Sequence, residues 1–354
     1  MNKIIKISMV VLLVSCLLLS FSLPVSAQDN DHIKIVIGFT INEGENGQKI
    51  PRGSTIRHLD NGETKVYNSQ NLLILNTSDS DADLVATPEG PMKANHVYSV
   101  PSGTFVNHIG NIITFYKDDQ LILTVIDKEP LKNEDIGTLQ TLTIPKTGGW
   151  VECAIDTGWK PNDFIAYWHC PSSPPGNLPN IINFLFTGIM PNTGSSIIQP
   201  VLQWNQGGAP GWTGSSWYVW NGGSTHTIFT PVSVGDIIYG EMYCNGINNY
   251  WNIQFYDINT AISLNLYVNT NISVNPLIGN QVFTALESYN NLNGDIYNSD
   301  MPGDTTFSDI SITRYGQPLN VQWNKRIYSN SHFKMTGLDV TWSGNTTVTL
   351  HTAN

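Results

Sequence analysis

From about residue 147 to the end, the chain is written in short alternating runs cut by turn residues, and few folds satisfy that pattern. "DFIAYWHC", "SIIQPVLQW", "SSWYVW", "DIIYGEMYC", "YWNIQFYDI", "ISLNLYV", "QVFTALESY" and "FSDISIT" each swing between apolar and polar side chains. Gly, Pro, Asn and Asp separate them. A period of two marks strands that turn one face to a core. No stretch carries the 3.6-residue apolar period of an amphipathic helix. About two hundred residues of such strands predict an all-β, two-sheet antiparallel sandwich or jelly roll rather than an α/β fold.

Composition divides the chain near residue 147. All ten tryptophans fall between Trp150 and Trp342. From 147 onward there are five basic residues (Lys160, Arg314, Lys325, Arg326, Lys334) and twelve acidic ones, so most of the charge lies earlier. Two surfaces this different predict two units: a smaller β-rich N-terminal domain over 28–130 and the sandwich over 147–354. The charged stretch 131–146 reads as a linker.

The N-terminal unit repeats itself. "IPRGSTIRHLDNGETKVY" (50–67) matches "VPSGTFVNHIGNIITFY" (100–116). Each copy reads as turn, strand, turn, strand, a duplicated β-hairpin. His58 and His108 recur at equivalent positions. No third ligand joins them, so they read as strand residues rather than a metal pair. "DSDAD" (79–83) lacks the glycine of a calcium loop and reads as a solvated turn.

The first residues read as an export signal. Lys3 and Lys6 precede an apolar run, Met9 to Leu23, and Val25-Ser26-Ala27 supplies small residues for cleavage after Ala27. Export favours disulfides. Of Cys153, Cys170 and Cys244, the pair Cys153–Cys170 on neighbouring strand-like segments is the preferred bridge. A net charge of −11 argues against nucleic acid as a partner. No segment after the signal is long and apolar enough to span a bilayer, and no Cys/His spacing marks a zinc site.

The usual hydrolase signatures are missing: no GxSxG elbow, no HExxH, no paired aspartic loops. Carboxylates and amides remain. In "QPVLQWN" (199–205), alternation puts Gln199, Val201 and Gln203 on one face and Pro200, Leu202 and Trp204 on the other. In "NQVFTALESYNN" it puts Phe283, Ala285, Glu287 and Tyr289 together. Glu287 stands among apolar and aromatic neighbours, where burial raises a carboxyl pKa. A carboxyl that takes a proton from water, beside an amide that holds a developing oxyanion, suits amide hydrolysis.

The region 147–354 resembles the eqolisins, the glutamic peptidases. "VLQ" ending at Gln203 resembles the strand with the family's catalytic glutamine, and "SSWYVW" follows with Trp217 fourteen residues on. "VSVGDII" (232–238), "FTALESY" with Glu287 at the catalytic glutamate, and "TFSDISIT" (306–313) follow in the family's order. "GGWVECAI" and "FIAYWHCPSSP" resemble its opening strands. The resemblance implies a concanavalin A-like sandwich and a secreted acid endopeptidase with a Gln203/Glu287 dyad and polypeptide substrates. It implies no cofactor and no metal. Trp217, Tyr218 and Phe186 are candidates for the substrate-binding wall. Phe186 stands where the family usually has Trp, and Gly207 and Ser215 replace two flanking acids. Residues 28–146 are then a propeptide or a permanent module for cell-wall or glycan contact.

Other classes remain open. A lectin-like or cell-surface sandwich would line a concave face with Trp and Tyr without cleaving anything. A glycosidase would need Glu152 or Glu241 to share the groove with Glu287.

Overall fold

The computed structural model describes residues 47–80, 82–127, 147–206, 210–245, 250–273 and 279–353, with the backbone of 39–40. The export signal and the 131–146 linker lie outside these residues.

The alternating runs fold as strands, and the chain is all-β: a sandwich of two sheets. The first sheet runs Gly223–Thr227, Trp212–Trp220, Ser196–Trp204, Ile181–Pro191, Asn280–Asn290, Thr147–Trp159, Asn324–Ile327, antiparallel throughout this stretch. The second is built around Thr305–Arg314, Asp163–His169, Ile237–Cys244, Tyr250–Asp257 and Ile262–Asn269, also antiparallel. Large side chains close the space between them, among them Trp168, Leu202, Tyr218, Trp251 and Phe255. Ser216 stitches the sheets polar-to-polar: its Oγ donates to the Leu264 carbonyl (2.9 Å) and accepts the Phe255 N–H (3.1 Å).

The N-terminal segment extends both sheets. Val97–Val100 adds parallel to Gly223–Thr227, and the next strand, Thr104–Ile109, adds parallel to Ile262–Asn269. Ile35–Asn354 is thereby one compact unit. The two copies of the repeat are antiparallel hairpins, Ser54–His58 with Glu63–Tyr67 and Thr104–Ile109 with Ile112–Lys117. Their shared Pro-x-Gly turns need glycine for the same reason: Gly53 and Gly103 sit at φ +78° and +79°. A further hairpin, Leu84–Thr87 with Gly90–Lys93, joins neither sheet and lies against the outer face of the first.

The expected Cys153–Cys170 disulfide is not formed. Cys153 lies in the first sheet, in the apolar cluster on its outer face, whereas Cys170 directly follows the strand Asp163–His169 of the second sheet and joins the inter-sheet core. The two strands neighbour one another in sequence but not within a sheet, and a bridge needs Cα atoms within about 7 Å.

Glu152 is buried with neither carboxyl oxygen hydrogen-bonded. Burial, with Asp304 and Asp339 adding to it, pushes its pKa up to about 9. A folded-state pKa above the unfolded value stabilises below the ordinary carboxyl range, and the benefit is lost as pH rises through about 9. Urea midpoints at pH 5, 7 and 9 should therefore fall with pH in wild type, and fall much less in Glu152→Met. Parallel pH curves for the two proteins would refute this.

Candidate active site

Register brings the two candidate catalytic residues onto one face. Phe184, in the middle strand Ile181–Pro191, pairs with Gln203 on one side and with Glu287 on the other. Directly opposed residues of antiparallel strands point the same way, so Gln203, Phe184 and Glu287 share the outer face of the first sheet. Two strand spacings put the flanking Cα atoms about 10 Å apart, close enough for both side chains to reach a molecule lying over the Phe184 ring. Around them Phe186, Val201, Trp217, Phe283, Ala285 and Tyr289 pack in one apolar cluster.

Each member of the pair is held by one atom and leaves the other unused. The Trp217 indole N–H donates to Gln203 Oε1 at 3.0 Å. An indole N–H can only donate, which identifies the carboxamide oxygen and leaves Nε2 as the donor facing the groove. Nε2 is buried with no hydrogen-bond partner. Glu287 Oε2 accepts from the Tyr289 hydroxyl and from the Glu89 backbone N–H, both at 3.0 Å, while Oε1 is buried with no partner of good geometry. Burial first, and the charge of Glu89 second, raise the Glu287 pKa well above the carboxyl range, against opposing interactions with the Glu89 N–H, the Tyr289 hydroxyl and the Trp150 indole. Among the described residues no cation offsets that burial, which favours the neutral form of the carboxyl beside the Gln203 amide.

The other sequence candidates divide. Trp217 and Phe186 line the groove face. Phe186 meets Trp150 and Phe283 edge-on, at 5.9 and 6.1 Å between ring centroids, in the floor beside Glu287. Tyr218 does not line it. One residue on from Trp217, it points into the inter-sheet core, where its hydroxyl meets His108 Nδ1 (2.7 Å) and accepts from Thr270 (3.2 Å). Neither carboxylate that a glycosidase would need is there. Glu152 pairs with Leu286, on the face opposite to Glu287, and Glu241 belongs to the second sheet. The carboxyl that does approach Glu287 comes from Glu89, at the tip of the Leu84–Lys93 hairpin, and burial raises its pKa too. Sequence reasoning missed it. "TPEG" (87–90) signals a turn, but nothing local says that the turn seats two hundred residues away.

His58 and His108 are far from sharing a ligand, as His108 meets Tyr218. His58 instead stacks on His96 at 3.9 Å, with Asp127 near enough for the three to be considered as a metal set. Their ring nitrogens are committed elsewhere. His58 binds Thr64 Oγ1 (2.8 Å) and Tyr98 OH (2.5 Å), and His96 binds the Gly222 carbonyl (2.8 Å) and Asp79 (3.3 Å). With Asp127 accepting from the Trp220 indole (3.1 Å), the cluster is a polar clasp between the N-terminal strands and the sandwich.

Among the described residues, no helix is long and apolar enough to cross a membrane. No family model matches the chain, and no curated protein does. Among solved structures, a scytalido-glutamic peptidase bound to a transition state analog inhibitor aligns at 18% identity over 58% of this chain and 98% of its own, with a TM-score of 0.42. SCP-B, a member of the eqolisin family of peptidases in complex with the tripeptide Ala-Ile-His, aligns at 18% identity over the same shares, with a TM-score of 0.41.

Proposed function

We propose that this chain is a secreted endopeptidase of the glutamic type, hydrolysing peptide bonds with Glu287 and Gln203. One observation carries the reading. A buried carboxyl and a buried carboxamide flank Phe184 on one face, each anchored by one oxygen and each with its second polar atom lacking a hydrogen bond of good geometry. Buried polar atoms without partners call for an explanation, and a substrate carbonyl and a water would supply one for this pair together.

The chemistry follows from those atoms. Ionised Glu287 takes a proton from a water whose oxygen bonds to the carbonyl carbon of the substrate. The C=O electron pair moves onto oxygen, and Gln203 Nε2 donates a hydrogen bond to that oxyanion. Collapse of the tetrahedral species reforms C=O and breaks C–N as Glu287 returns its proton to the departing nitrogen. Products are a carboxylic acid and an amine. Trp217 keeps the carboxamide in the orientation that presents N–H₂. Burial that raises the Glu287 pKa suits the first step, since a weaker acid is a stronger base towards water once ionised.

The test is hydrolysis of a denatured protein between pH 2 and 7, with fragments sized by mass. Because the groove is filled in the full chain, the Val85→Asp form described below serves as the open enzyme. New internal cleavages are expected. Their absence at every pH, with the fold intact, would end the peptidase reading.

A further inference from the structure

We propose that the Leu84–Lys93 hairpin is an intramolecular stand-in for substrate, and that Gln199 and Gln206 are the main-chain binding residues of the groove, each holding a carbonyl of a bound peptide. This rests on the peptidase reading for its meaning but not for its test.

The hairpin is seated as a peptide ligand would be. Val85 and Ala86 are buried within the apolar cluster of the groove face. Three hydrogen bonds between the sheet face and the tip use hairpin backbone. Gln206 Nε2 donates to the Ala86 carbonyl at 2.8 Å, Gln199 Nε2 reaches the Pro88 carbonyl at 3.5 Å, and the Glu89 N–H donates to Glu287 at 3.0 Å. The two carbonyls are two residues apart, one on the strand Leu84–Thr87 and one in the turn that follows it. Backbone reading of this kind is indifferent to side chains, which suits a site that takes many polypeptides.

Gln199 and Gln206 bracket Gln203 in sequence. Both are fully buried, and each carboxamide oxygen is without a partner. Their Nε2 donors are the groups that meet the hairpin carbonyls, the role a peptide ligand would call on.

The tip also explains its own survival. Glu89 sits at φ +104°, in a tight turn with Pro88 before it and Gly90 after it. A scissile bond must lie with its carbonyl oxygen on Gln203. Here the Pro88 oxygen is turned to Gln199, and Gln203 Nε2 remains without a partner. The hairpin blocks the groove without entering the reaction, and the full chain is latent until this segment is displaced or cut away.

The experiment uses the full chain. Val85→Asp places a charge inside the apolar cluster and should expel the hairpin; Met92→Asp, on the partner strand, is the second variant should the first misfold. Hydrogen exchange at the amides of 84–93 should rise at least about tenfold in either variant relative to wild type, with the sandwich strands unchanged. A fluorescein-labelled peptide of residues 82–95 should bind the opened variant and not wild type. Adding Gln206→Ala should weaken that binding about tenfold, and Gln199→Ala severalfold, as expected for the loss of a buried hydrogen bond. Rapid exchange of 84–93 in wild type, no peptide binding by the opened chain, or binding indifferent to both Gln changes would overturn the proposal. Peptide binding needs no catalysis. Binding with the Gln dependence but no proteolysis would overturn the peptidase reading alone; Glu287-dependent proteolysis without the Gln dependence would overturn this one alone.

Discussion

Glu287→Gln in the opened chain is expected to lower kcat for a peptide substrate by about 10³-fold or more, because it removes both the base that activates water and the acid that protonates the leaving nitrogen. Gln203→Ala should cost about 10²- to 10³-fold, the usual loss on deleting one oxyanion donor. The two act on one tetrahedral species, so the double variant should be scarcely worse than Glu287→Gln alone. KM should move little in each case, since neither atom is assigned to ground-state binding. The fold should survive. Burial raises the Glu287 pKa, so the stability it contributes is present below the ordinary carboxyl range and lost as pH rises. Full-chain Glu287→Gln should match wild type in urea at pH 4 and exceed it at pH 8. Losses of activity that track a fall in the urea midpoint would instead mark both residues as structural.

The second large effect is on stability. Gly214 pairs with Leu202 across the first sheet and faces Phe255 of the second. A Cβ there would stand 2.0 Å from Phe255 Cε1 and 2.2 Å from Cζ. The ring has nowhere to retreat. It is fully buried, Trp168 packs edge-on at 6.4 Å, and its own backbone N–H is tied to Ser216 in the strand that carries Gly214. Gly214→Ala must therefore push the sheets apart, at a cost of about 3 kcal/mol. The melting temperature should fall by about 6 °C or more. An unchanged melting temperature would mean that the sandwich is not packed as described.

Period two was the legible part of the chain. The face set Gln199, Val201 and Gln203 against Leu202 and Trp204 can be read from "QPVLQWN", and the structure divides Val201 from Leu202 and Trp204 in the same way between its two apolar clusters. "FTALESY" likewise sends Phe283, Ala285 and Tyr289 to one face and Leu286 to the other. The same rule separates Trp217 from Tyr218, so the two could not both wall one groove. What alternation cannot supply is which strands become neighbours. Cys153 and Cys170 are close along the chain but belong to different sheets, and Gln203 and Glu287 meet only because Ile181–Pro191 lies between their strands. Nor can it reveal that both faces of the first sheet are covered. A strand with two buried faces usually reads as an apolar run. Here the outer face keeps amides and a carboxyl, because what covers it is a peptide hairpin with its own backbone groups to satisfy.

The claim that two side chains act together on one tetrahedral carbon is tested most directly with a peptide whose scissile amide is replaced by a non-hydrolysable tetrahedral hydroxyl group. Groups complementary to a transition state hold its analogue far more tightly than the substrate, by about 10²-fold or more. The opened chain should bind the hydroxyl peptide at least about a hundredfold more tightly than the parent amide peptide, and that preference should collapse to within about tenfold in both Gln203→Ala and Glu287→Gln. A preference of the same size in all three proteins would show that neither residue touches the reacting centre.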